Sequence, residues 1–116
     1  MKELALQSCE ACDRHAVPLN KIEQAQLLTM LNDWELVYQD DIAQLCKVYS
    51  LRDYVSALAL VQRIGALAEQ YDHHPAMLIE WGKVEVRWWT HRVHGLHKND
   101  FILAAKTDEL ILLSDC

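Results

Sequence analysis

The period of hydrophobic and polar positions changes several times along this chain, and each change marks an element. In "NKIEQAQLLTML", residues 20–31, Ile22, Ala25, Leu28 and Leu31 recur every three residues, as expected of a helical face. Asn20 with Glu23 three residues later is a capping-box pair, so a helix over 20–31 is predicted. "WELVYQ" then alternates and "AQLCKVYS" is rich in β-forming residues, with Asp40-Asp41 between them as turn residues. These two segments read as a hairpin. Ser50 and Asp53 repeat the capping signature before "LRDYVSALALVQRIGALAEQY", where Ala57, Leu60, Ile64, Leu67 and Tyr71 recur at spacings of three and four. One stripe of a long helix therefore faces a core.

Pro75 blocks extension of that helix, because a proline pushes its predecessor out of the helical region. "MLIEWGKVEVRWWTHRV" supplies two further strands with Gly82-Lys83 at the bend. In the second strand Val84, Val86, Trp88 and Thr90 share one face, while Glu85, Arg87, Trp89 and His91 share the other. "GLHKND" is a loop and "DFILAAKTDELILLS" a closing helix. The order α-β-β-α-β-β-α predicts an α+β fold: a four-stranded antiparallel sheet with helices packed on one face. Residues 1–19 lack periodicity and contain Pro18, so they read as an irregular N-terminal arm on a single domain spanning 1–116.

Composition narrows the function classes. An apolar content of 52% in 116 residues is enough for one packed core. No apolar run approaches the roughly 18 residues of a membrane span, and acidic residues interrupt the N-terminal segment where a secretory signal would lie. The net charge of −6 offers no basic field to a phosphate backbone, which argues against direct nucleic-acid binding. Cys9, Cys12, Cys46 and Cys116 do not form the pattern of an extracellular disulfide framework. A cytoplasmic protein is expected.

His73 and His74 fall just past the end of the long helix, and His91 near the end of the last strand. The negative end of a helix favours a protonated imidazole, and histidine is the usual carrier of protons near neutral pH. Glu69 stands one turn before His73, within reach of an imidazole. Three histidines alone equally describe exposed loop groups plus one packed at a strand end. A rival chemistry lies in Cys9-x-x-Cys12, which has zinc-ligand spacing and is followed by His15. A closed zinc site needs four ligands, however, and the sequence has no second close pair. A redox motif of this kind also belongs after a strand, so no metal is expected.

"AEQYDHHP" followed by "VEVRWWTHRVHGLHKND" resembles the signature of the pterin-4a-carbinolamine dehydratase family. The matching positions are Ala68-Glu69, His73-His74-Pro75, Thr90-His91, Gly95-Leu96 and Asp100, and the resemblance reaches back to Trp34 in the "DW" before the first strand. The "CEAC" arm and the "WW" and "GLH" stretches look like the bacterial branch associated with phenylalanine hydroxylase.

This resemblance implies a hydro-lyase, a 4a-hydroxytetrahydrobiopterin dehydratase. Such an enzyme removes water from the pterin 4a-carbinolamine to give quinonoid dihydropterin during tetrahydropterin recycling, with no cofactor and no metal. It implies that His73, His74 and His91 line the pterin site, with His73 and His91 as the proton-transfer pair and His74 orienting the substrate. Glu69 and Thr90 would support the site, Asp100 would fix the loop beyond Gly95, and Pro75 would hold the His-His turn. Trp34 would either border the pterin or lie in the core. Trp88 is expected in the core, and Trp89, on the His91 face, is a candidate substrate contact. Phenylalanine hydroxylase is the implied protein partner and a homodimer or homotetramer the implied assembly. A non-catalytic role, as partner of the hydroxylase or as dimerisation cofactor of a transcription factor, is the alternative. One position departs from the family: Thr or Ser usually follows Gly-Leu, and here it is His97. An imidazole caps a helix less well, which would shift the capping load to Asp100 or leave His97 to reach into the site.

Overall fold

A computed structural model of the chain describes residues 4–7 and 17–114. Within them the predicted order α-β-β-α-β-β-α is found, with α1 at Lys21–Leu28, β1 at Glu35–Gln39, β2 at Ile42–Ser50, α2 at Tyr54–Tyr71, β3 at Ala76–Glu80, β4 at Lys83–Trp88 and α3 at Lys98–Ser114. Cys9, Cys12, His15 and Cys116 lie outside the described residues, as does most of the predicted arm. Two described parts of that arm are ordered. Leu4–Leu6 forms a 3-10 turn that buries Leu4, and Leu19 N donates to Leu96 O at 2.8 Å.

The capping box of α1 is complete: Asn20 Oδ1 accepts from Glu23 N and Glu23 Oε1 from Asn20 N. The expected stripe is not buried as a unit, since Ile22 remains 71% exposed. Spacing of three slips by about 60° per step against a 3.6-residue turn, so Ile22 and Leu31 cannot share a face. Gln24 is buried instead, with its amide donating to Leu19 O.

Helix α2 begins later than the Ser50–Asp53 signature suggested. Asp53 is itself the N-cap, accepting from Ser56 N at 2.8 Å, while Ser50 remains in β2 and Leu51 is held by a bond from its N–H to Gly82 O. Ala57, Leu60, Ile64 and Ala68 form the buried stripe, flanked by half-buried Leu67 and Tyr71. Nor is Pro75 what stops this helix. Asp72 turns left-handed at φ 49° and His73 N donates back to Ala68 O at 3.0 Å, a Schellman-type closure.

The four strands are ordered β1-β2-β4-β3 and every pair is antiparallel. Asp40 and Asp41 both have positive φ, the I′ geometry that suits a two-residue hairpin. The second hairpin turns at Trp81-Gly82 rather than Gly82-Lys83, because Lys83 already pairs with Glu80. Gly82 is at φ +75°, and a Cβ there would stand 3.2 Å from Leu51 O. Across the sheet, Leu36, Leu45 and Trp88 are in register, as are Tyr49, Val84 and Ile79. These positions form the face on which the helices pack, α2 against β3 and β4, and α3 against β2 and β4. Val84, Val86, Trp88 and Thr90 are all buried, as the alternation in β4 predicts. No helix among the described residues is long and apolar enough to cross a membrane.

Lys47 lies on this inward face, opposite Val86, where an unpaired ammonium would be costly. Asp108 of α3 answers it at 2.7 Å, and the same carboxylate accepts from Tyr49 Oη at 2.6 Å and Trp34 Nε1 at 3.1 Å. Burial, with the hydrogen bond to Asp108, pushes the Tyr49 phenol well above its ordinary range.

Candidate active site

The Schellman turn sets the geometry of the histidine pair. By reversing the chain at Asp72, it tucks His73 inward, with only 10% of its side chain exposed, and leaves His74 half exposed. His73 Nε2 lies 2.7 Å from Asp100 Oδ1, and its ring is 5.9 Å from that of Trp88. Trp88 is locked in place by its own N–H, which donates to Thr107 Oγ1.

Asp100 is fully buried and collects three donors. Oδ1 faces His73, while Oδ2 accepts from Thr90 Oγ1 at 2.7 Å and from His97 N at 2.9 Å. An ionised carboxylate can only accept, so His73 must carry its proton on Nε2. The nitrogen left to take up or release a proton is then Nδ1. Thr90 immediately precedes His91, so one carboxylate ties the His73 turn to the His91 segment. That segment is further closed by a bridge between Thr90 and Gly95. Gly95 has a steric role there: a Cβ would stand 3.1 Å from Pro18 Cβ.

The other two histidines are held differently. His74 Nε2 meets Glu69 Oε2 at 2.5 Å, with both side chains largely in water. Such an exposed pair contributes at most about 1 kcal/mol, so it orients the ring more than it stabilises the fold. His91 is exposed at the start of a 3-10 turn, His91–Val93, and its ring lies 4.5 Å from that of Trp89 at an interplanar angle of 40°.

Glu69, His73, His74, Thr90, His91 and Asp100 are thus connected by hydrogen bonds and chain continuity, with Pro75 leading from them into β3. Trp34 is not among them. It is buried against Tyr49, with its N–H on Asp108, and Asp108 stands eight residues, or about 12 Å of helix rise, beyond Asp100. Two clefts also lie apart from the histidines. One of about 600 Å³ is lined by Leu19, Leu27, Met30 and Lys98 among others, and one of about 360 Å³ lies beside Leu4 and Asp108.

Sequence reasoning did not foresee that Asp100 holds His73, nor that Glu69 serves His74. It also undervalued His97, whose Nδ1 accepts from Asn99 N at 3.0 Å and caps α3. The signal for the first was present in the spacing: Asp100 is the third residue of α3, where its carboxylate reaches back to the cap.

Comparison with known proteins matches the chain to one family. The sequence model described as pterin 4 alpha carbinolamine dehydratase matches residues 17–110. A Marinobacter nauticus protein named "Putative pterin-4-alpha-carbinolamine dehydratase" is 48% identical over 110 residues, covering 95% of this chain and 99% of that protein. A Vibrio cholerae protein of the same name is 53% identical over 102 residues, covering 88% and 94%. Among solved structures, a transcriptional coactivator/pterin dehydratase from Brucella melitensis superposes with a TM-score of 0.73 at 24% identity, covering 80% of this chain and 97% of that one. A pterin dehydratase-like protein identified as a RuBisCO assembly factor in the alpha-carboxysome gives 0.57 at 20% identity, covering 68% and 89%. These two structures speak to the fold alone.

Proposed function

The chain belongs to the pterin-4a-carbinolamine dehydratase family, and from that premise we propose that it dehydrates 4a-hydroxytetrahydropterin to quinonoid dihydropterin. The carbon–oxygen bond at position 4a breaks, the oxygen leaves as water with a proton supplied by the protein, and a ring nitrogen gives up its proton as the new double bond forms. The reaction needs one acid and one base, each worth about 10²–10⁴-fold, and consumes no redox equivalent.

The observation that carries this reading is the buried Asp100 carboxylate shared by His73 and Thr90. It commits Nε2 of His73 to the protein and directs proton exchange to Nδ1. His91, joined to the same carboxylate through Thr90, is the second member of the proton-transfer pair. His74, steadied by Glu69, binds and orients the pterin. The enzyme acts in the cytoplasm in the recycling that follows aromatic amino-acid hydroxylation, with phenylalanine hydroxylase as its client.

Stopped-flow absorbance of the carbinolamine converting to quinonoid dihydropterin tests the proposal against the uncatalysed rate. Wild type accelerates the conversion, His73→Ala/His91→Ala abolishes the acceleration, and His74→Ala chiefly raises KM. A folded wild-type protein that binds pterin without accelerating its dehydration would refute the assignment.

A further inference from the structure

The three histidines have three kinds of orienting partner. His73 has a buried carboxylate and His74 an exposed one, whereas His91 has an aromatic face. No hydrogen bond to the His91 ring is found among the described residues. Its backbone is well fixed, because Thr90 before it is buried on Asp100 and bridged to Gly95. The side chain is another matter: an exposed imidazole on a fixed backbone samples several staggered rotamers unless something holds it. The ring in contact, among the described residues, is Trp89, half-buried just past the end of β4 and two residues before His91. Their centroid separation of 4.5 Å and tilt of 40° fall within the range of favourable aromatic pairs.

Resting on the dehydratase reading above, we propose that Trp89 is the positioning residue for His91, holding its imidazole in the proton-transfer orientation by ring contact alone. This arrangement has a chemical consequence that a carboxylate partner would not have. A carboxylate commits one ring nitrogen, as Asp100 does for His73, whereas a π face commits neither. Both nitrogens of His91 stay available to the substrate. The ring can therefore give a proton to the leaving oxygen from either side and recover it from water without breaking a bond to the protein. Trp88, the neighbouring tryptophan, cannot share this role: it points into the core and its N–H is engaged by Thr107.

The test uses Trp89→Leu and Trp89→Phe with two independent readouts. Stopped-flow kinetics should show kcat for Trp89→Leu falling about 10- to 100-fold, the scale of a misplaced catalytic group, with KM unchanged and Trp89→Phe recovering most of the rate. NMR without substrate should show through-space contact between the residue 89 and His91 rings in wild type and Trp89→Phe, and rotamer averaging of the His91 ring in Trp89→Leu. An unchanged kcat in Trp89→Leu, a loss confined to KM, or failure of Trp89→Phe to recover the rate would each overturn the assignment. The NMR arm keeps the two proposals separable. If wild type proved inactive as a dehydratase, an ordered His91 ring released only in Trp89→Leu would still support positioning, and a ring already averaging in wild type would refute it.

Discussion

His73 Nε2 stands 2.7 Å from Asp100 Oδ1, with the carboxylate wholly shielded from solvent and the imidazole nearly so. The pair joins residues 27 positions apart, one at the C-terminal turn of α2 and the other in the first turn of α3. Burying such a pair is tolerable only because the carboxylate's remaining capacity is filled by Thr90 Oγ1 and His97 N.

Asp100→Asn therefore preserves shape while altering chemistry. Its single carbonyl oxygen can serve Thr90 and His97, which turns the amide N–H₂ toward His73 and reverses the tautomer that ring must adopt. The expected result is a fall in kcat of about 10²-fold or more, with far-UV circular dichroism and KM unchanged. Stopped-flow kinetics beside a urea titration separates this outcome from simple unfolding.

The Asp108 cluster should govern stability and not catalysis. Asp108→Ala removes the acceptor of Tyr49 and Trp34 and leaves Lys47 with the carbonyl of Asn32. Hydrogen bonds to charged groups are worth about 1.5–3 kcal/mol each in favourable cases, and this site is only partly buried, so a loss of about 2–3 kcal/mol in urea unfolding is expected. Trp34→Phe removes one donor from the same carboxylate and should cost less. Its KM for the pterin should match wild type, whereas a raised KM would place Trp34 against the substrate after all.

His97 should behave as a helix cap. His97→Ala removes the acceptor for Asn99 N and should lower stability by about 1 kcal/mol. His97→Thr, which offers a hydroxyl oxygen at the same place, should restore it. If His97→Ala left the urea midpoint unmoved, the ring nitrogen would not be capping α3 in solution.

Acid should weaken the start of α2. The hydrogen bonds that Asp53 makes with Ser56, first through the side chain and then through the backbone N–H, hold its carboxyl below the usual carboxylate range. A carboxyl depressed in the folded state contributes stability above its unfolded value, about 3.9, and loses it as pH falls through the lower folded value. Asp53→Asn keeps an acceptor that does not titrate. The difference in Tm between wild type and Asp53→Asn should thus shift in favour of the variant as pH drops below about 4, and a difference constant with pH would contradict the assignment.

Much of the architecture was legible because it follows from local rules. The alternation of Val84, Val86, Trp88 and Thr90 sets the buried face of β4, Asp40-Asp41 sets the first hairpin, and Asn20 with Glu23 caps α1; each depends on neighbours within a few residues. Local readings went astray where two rules overlapped. Ser50 and Asp53 carry a capping pattern, yet sheet pairing retained Ser50 and passed the cap to Asp53. Ile22 to Leu31 look periodic, yet a spacing of three drifts around the helix.

By itself, then, the sequence determined the order of elements and the inward face of β4, and its histidine, threonine and aspartate positions carried the resemblance to a dehydratase family. Only the tertiary structure decided which partner each side chain receives: Asp100 for His73, Glu69 for His74, Trp89 for His91, and Asp108 for the Trp34 N–H. The physical reason is range. Dihedral preferences, caps and period act over one turn or one hairpin, whereas a buried carboxylate finds its donors among segments that meet only when α2 and α3 close over the sheet.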